Sequence, residues 1–164
     1  MSEAQHLADA LEGLFANPEH GWFTPFSVAV TGLTAAQAAS VPAPRFNSVW
    51  AVLNHTRFGQ EVFLLRLRGL PVDRQALGAK NGWPPAGDPG DEAAWQADCA
   101  RAIAANKELA TFVASLSDEE IVQPTAPGRA KRYQAIQGLI AHNSYHTCEI
   151  ISIRHMQGWW LERT

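Results

Sequence analysis

Cysteine is scarce in this chain. The two present, Cys99 and Cys148, form no C-x-x-C pair and are too few for a disulfide framework. An excess of positive charge is also missing: 13 Lys and Arg stand against 16 Asp and Glu, for a formal net charge of -3. Binding a phosphate backbone demands the opposite balance, so nucleic acid is not an expected partner. No stretch approaches the roughly 18 uncharged apolar residues of a membrane span, so a membrane is not expected either. The opening MSEAQHLADALEGLF has acids early and no basic region ahead of an apolar run, unlike a secretory leader. A reduced cytoplasm is the expected compartment.

Strand signals are lacking too, because alternating apolar and polar runs rich in β-branched residues do not occur. Helical periodicity takes their place. A first segment, about 3–16, repeats Leu7, Leu11, Leu14 and Phe15 and stops at Asn17-Pro18. A second, about 47–69, has Asn47 or Ser48 as its N-cap and ends at Gly69 before Pro71. A third, about 91–115, begins at Asp91 and offers Trp95, Ile103, Leu109, Phe112 and Val113 to a core. A fourth, about 132–157, is closed by Gly158. With 46% hydrophobic residues in 164, the chain can bury one substantial core and is short for two. The expectation is an all-α fold, a four-helix bundle, with residues 1–164 as one domain.

The connections refine this. Residues 18–46, with GLTAAQAASVP as one short helix, are too long for a simple turn, which predicts a crossover connection between the first two long helices. Residues 70–90, LPVDRQALGAKNGWPPAGDPG, are rich in Gly and Pro and read as a surface loop, either an ordinary linker or a lid.

Chemistry concentrates in LIAHNSYHTCEIISIRH, residues 139–155. His142 and His146 stand four apart, so both share a helix face, beside the apolar stripe of Ile136, Leu139, Ile140, Ile150 and Ile153. Burying two imidazoles is costly unless each is hydrogen-bonded or coordinated. A divalent metal resolves that cost by taking neutral rings as ligands, and the best third ligand is His55, on the stripe of Val52, His55, Gly59 and Val62. Gly59 is expected to leave room beside His55. His6, His20 and His155 are weaker candidates. The competing reading of His55, His142 and His146 is the usual one for histidines on an apolar face: satisfied core residues. Asn143 follows His142 where an H-E-x-x-H protease needs its Glu, which removes that reading, and EAQH at residues 3–6 has no partner motif for a di-iron bundle.

Glu149, three beyond His146, reads first as a solvent-facing glutamate and second as a candidate extra ligand, general base or ring-orienting acceptor. Cys148 reads as a small buried residue and Tyr145 as packing. Arg129, Lys131 and Arg132 read as a solvated basic face, or else as a hold for an anionic substrate or thiol cofactor.

In SVWAVLNHTRFGQEVFLLRLRGL followed by IQGLIAHNSYHTCEIISIRHMQGWW, the order and spacing of the histidines and the closing R-x-x-Q-G-W resemble the DinB-like (DinB/YfiT) metalloprotein superfamily. The likeness extends over nearly the whole chain, including GLTAAQAASVPAPRFNSVWAVLNH. It implies a four-helix bundle with an unusual crossover order, a homodimer, and a metal held between the second and fourth long helices by His55, His142 and His146. Such an ion would be zinc, nickel or iron by first choice, and thiol-dependent members of the superfamily allow a low-molecular-weight thiol as a further cofactor. The expected function is a metal-dependent enzyme, a thiol transferase or hydrolase acting on a small electrophilic substrate. The alternative is a non-catalytic dimeric helical module with a structural metal or a small hydrophobic ligand held near Trp83. Trp22, Phe23, Trp159 and Trp160 could form an apolar patch for a partner or could close the core.

Overall fold

A computed structural model describes residues 1–17, 22–73 and 82–161 of the chain. Its helices are α1 (Glu3–Ala16), α2 (Phe26–Val30), α3 (Ala35–Ala39), α4 (Val49–Leu67), α5 (Glu92–Ala114), α6 (Asp118–Ile121) and α7 (Arg132–Met156). The four long ones are those the periodicity predicts. Their starts follow from capping: Ser2, Ser48 and Asp91 each accept a hydrogen bond from a first-turn backbone N–H, satisfying a donor the helix itself cannot. The single short helix expected before α4 is in fact two, α2 and α3. No strand occurs among the described residues, where an isolated bridge joins Pro124 and Lys131.

Packing confirms a crossover and adds a second. α1 lies against α5 and α7, and α4 lies against the same two helices. The first and second long helices are therefore diagonal, so the segment holding α2 and α3 crosses the bundle. α5 and α7 are diagonal as well, joined through α6.

Apolar residues gather in two clusters along the bundle axis. One contains Phe15, Phe26, Val49, Trp50, Leu53, Trp95, Ile150 and Ile153, with Trp50 and Trp95 packed edge to face at 5.3 Å. The other contains Leu7, Leu11, Leu64, Leu67, Leu109, Val113, Ile136 and Leu139. Between them, in register on three helices, lies a polar layer: Gln60 on α4, Asn106 on α5, and Asn143, His146 and Thr147 on α7, all buried. Asn106 Nδ2 donates to Gln60 Oε1 at 2.7 Å and to the Leu11 carbonyl at 3.3 Å. A buried amide pair of this kind favours the one axial alignment in which its groups meet.

The second part of the 70–90 loop is packed down. Pro84 is buried, the Pro85 carbonyl accepts from Asn54 Nδ2 at 2.7 Å, and a Cβ built on Gly87 would lie 2.3 Å from the Trp50 ring. Only a glycine permits that approach, because Trp50 is itself fully buried with its indole N–H held by Asp98 at 2.8 Å.

The axial position of α7 is fixed near its C-terminus. Arg154, 6% exposed, donates to the carbonyls of Ala29 (2.9 Å), Thr31 (2.7 Å) and Trp159 (3.1 Å). One guanidinium thereby ties α7 to the end of α2 and to the chain after Gly158. Trp159 packs on the first cluster, whereas Trp160 and Trp22 are exposed. Replacing Arg154 by Met would leave three carbonyls without this donor; Arg154→Met is expected to destabilise the fold by about 2–4 kcal/mol, read as a lower urea midpoint at unchanged m-value.

Candidate metal centre

α4 and α7 bring His55, His142 and His146 together. One ring nitrogen of each lies within 4.8 Å of the other two. His55 comes from the turn of α4 that follows Leu53. His142 and His146 occupy successive turns of α7 between Leu139 and Ile150, so the apolar stripe that buries α7 also delivers both rings. Gly59 faces His142 rather than His55, and a Cβ there would lie 3.6 Å from His142 Cε1, an ordinary contact, so the expected clearance beside His55 is not what this glycine provides.

The outer nitrogens of two rings are already committed. His55 Nδ1 faces the Gly82 carbonyl at 2.5 Å, and a carbonyl only accepts, so Nδ1 carries the proton. His146 Nδ1 likewise donates to Glu149 Oε2 at 2.7 Å. Both rings therefore turn an Nε2 lone pair inward, the tautomer that metal ligation uses. His55 Nε2 and His142 Nε2 are 3.1 Å apart, where one proton at most can lie between them. His146 Nε2 is buried and has no hydrogen-bond partner among the described residues. The cluster is thus rich in lone pairs and short of donors, which is the arrangement a cation satisfies. Ligand nitrogens on a tetrahedral ion with bonds of about 2.0–2.1 Å lie roughly 3.3 Å apart, so His55 and His142 already stand near ligand spacing.

Electrostatics agrees. Burial lowers the pKa of His55, and the proximity of His146 adds to the effect, against the opposing Gly82 hydrogen bond. His142 is driven down to about 4, first by burial and then by His146. Both rings are kept neutral near pH 7, as ligation requires. Glu149 moves the other way: the hydrogen bond from His146 is the main cause of its lowered pKa, with Asn47 assisting.

Around the rings lies a second set of contacts. Glu149 is half-buried, with Oε2 on His146 and Oε1 accepting from Asn47 Nδ2 at 2.9 Å; the solvent-facing alternative is thereby corrected. Trp83 stacks on His55 with centroids 3.9 Å apart and planes 9° off parallel, and Gly82, whose carbonyl holds His55, has φ +83. An L side chain would be strained in that left-handed conformation. Tyr145 packs its ring against His142 and His146 at 5.2 and 4.2 Å. Trp83, expected beside a hydrophobic ligand, instead covers a histidine, and the role of Gly82 is not legible because nothing in the sequence marks a backbone carbonyl as a ring anchor.

Other expected residues fall elsewhere. His6 is exposed on α1, His155 stacks on Trp160 at 4.3 Å, and His20 lies outside the described residues. Cys148 is exposed rather than buried, because it follows Thr147 off the packed face of α7. Cys99 is the half-buried thiol, and burial pushes its pKa up to about 12, far from nucleophilic use. Arg132 faces Glu120 at 3.9 Å at the start of α7, away from the histidines. Residues 74–81 of the expected loop lie outside the described residues.

A helical bundle with crossed connections and a histidine triad between two of its long helices defines the class. The chain matches the DinB superfamily over residues 25–150 and belongs to that superfamily. Among solved structures it is similar to YfiT from Bacillus subtilis, described as a probable metal-dependent hydrolase with an unusual four-helix bundle topology. The TM-score is 0.67 at 15% identity, covering 97% of this chain and 91% of that one, a likeness of fold. No curated protein matches the chain.

Two outcomes follow from this geometry. Glu149→Ala, which frees the His146 ring to rotate, should weaken metal affinity by about 10–100-fold in a competition titration with a chromogenic chelator. In the metal-free protein, His142 takes up its proton near pH 4 when folded against 6.5 for the free side chain. The unfolded state therefore binds more protons as pH falls from 6.5 toward 4, so stability drops through that window. His142→Gln should flatten that part of the stability curve in urea melts.

Proposed function

We propose that His55, His142 and His146 ligate a divalent metal and that the protein is a metal-dependent enzyme acting on a small electrophilic substrate, as a hydrolase or a thiol transferase. The observation that carries this reading is the buried His146 Nε2, left without a donor while the opposite side of its ring is anchored by Glu149. A divalent ion with three neutral imidazole ligands keeps its full charge and an open position, and it supplies a Lewis acid that lowers the pKa of a bound water or thiol and polarises a carbonyl.

The chain's own residues prepare the site. Glu149 is engaged at both oxygens, so it serves to hold the His146 ring and its proton at Nδ1 rather than to act as a free general base. Gly82 holds the proton of His55 on Nδ1, and the Trp83 ring covers one face of that imidazole, restricting its rotation and its access to water. His55 and His142 are only half-buried, which leaves the triad a solvent side by which a small substrate can enter. None of the described helices is long and apolar enough to cross a membrane. A homodimer belongs to the same reading, with exposed Trp22 and Trp160 as apolar surface for it.

Elemental analysis of the untagged protein is expected to find one equivalent of zinc, nickel or iron, and His146→Ala should lose it while remaining helical by circular dichroism. A parent protein free of divalent metal after growth in supplemented medium would sink the proposal. Turnover of thiol and electrophile pairs or of activated esters, abolished in the same variant, separates an enzyme from a module whose metal serves stability alone.

A further inference from the structure

Among the described residues, five of the eight arginines are tied to a partner. Arg57 pairs with Glu61, Arg68 with Glu108, Arg101 with Asp98, Arg132 with Glu120, and Arg154 binds carbonyls. Arg45, Arg66 and Arg129 have no ion-pair partner among the described residues, and the last two line one cavity of about 580 Å³ with Gly69, Leu70, Thr125 and Ala126. That lining contains no acidic residue.

The two cations come from separate segments. Arg66 lies in the last turn of α4. Arg129 is carried by a closed turn in which Arg132 N donates to the Gln123 carbonyl (2.8 Å), Thr125 N to that of Ala130 (3.0 Å) and Arg129 N to that of Ala126 (3.0 Å). Placement near the negative end of the α4 dipole accounts for Arg66 and leaves Arg129 unexplained. Like charges lining one cavity repel each other, and an anion between them reverses the sign of that interaction. Guanidinium forks match the oxygens of a phosphate, and two of them balance the roughly -1.5 to -2 charge of a phosphate monoester at neutral pH. The cavity volume also falls in the range of about 300–1,000 Å³ usual for small-molecule sites.

We infer that this cavity is a second binding site, distinct from the histidine triad, for a small phosphorylated ligand held by Arg66 and Arg129. The separation is set by α4: Arg66 stands about three turns beyond His55, roughly 16 Å along the helix axis. Of the three basic residues before α7 noted in the sequence, Arg129 is the one used; Arg132 is drawn to Glu120.

Calorimetric titration of the full-length protein with inorganic phosphate, in a phosphate-free buffer, should give a millimolar or tighter dissociation constant. Arg66→Gln and Arg129→Gln should each weaken it by at least about tenfold, the loss of one charge-assisted fork, with Arg129→Lys intermediate. Both side chains are exposed, so melting temperatures should stay at the parent value. His146→Ala should bind phosphate as the parent does, which separates this site from any metal at the triad. The inference is overturned by absence of binding at millimolar phosphate, by equal affinity in the glutamine variants, by loss of binding in His146→Ala, or by acetate binding as tightly as phosphate.

Discussion

Imidazoles that face one another inside a protein can share few protons, and this constraint organises the centre of the bundle. His55 and His146 each send their single proton outward, to the Gly82 carbonyl and to the Glu149 carboxylate. The inward nitrogens are then acceptors in a place where water is partly excluded, and burial keeps the His55 and His142 rings from relieving the conflict by charging. Placing such a group between α4 and α7 requires the surrounding structure to hold these helices in one relation. The apolar clusters on either side supply cohesion, and the polar layer between them supplies alignment.

That layer draws on three of the four long helices. On the side of α5, Asn106 and Gln60 meet each other and the Leu11 carbonyl; on the side of α7, Asn143, His146 and Thr147 occupy the same level. Sliding one helix by a turn would break the Asn106–Gln60 bond and set amides against leucines and tryptophans, adding to the polar groups left without partners. The loop before α5 completes the arrangement. Its backbone holds one histidine and its tryptophan covers that ring, while Gly87 lets it rest directly on Trp50.

Much of this was legible from residue order. The long helices follow from 3.6-residue periodicity and from Ser48, Asp91 and Gly158, whose effects on helix ends are local. The i,i+4 histidines and the His55 stripe are local as well, and the triad forms where those stripes meet. What escaped depends on distant neighbours. α2, with the sequence FSVAV, is one turn long and too short for periodicity to register. The second diagonal step, through α6, depends on where a four-residue helix docks. Glu149 reads as solvent-facing from sequence because its tether, Asn47, lies far away in the chain. Cys148 was misjudged for a related reason, since only the approach of neighbouring helices decides which flank of α7 stays wet.

The histidines and Arg154 share one helix, and this links two features that have no direct contact. An α-helix is stiff over such a span, and Arg154 lies only about 12 Å along the axis from His146. The guanidinium therefore works like a clamp at the end of a ruler on which the ligands are graduation marks. A slip at the clamp would reach the marks almost undiminished, so the precision of the triad is set partly at a place where no chemistry occurs.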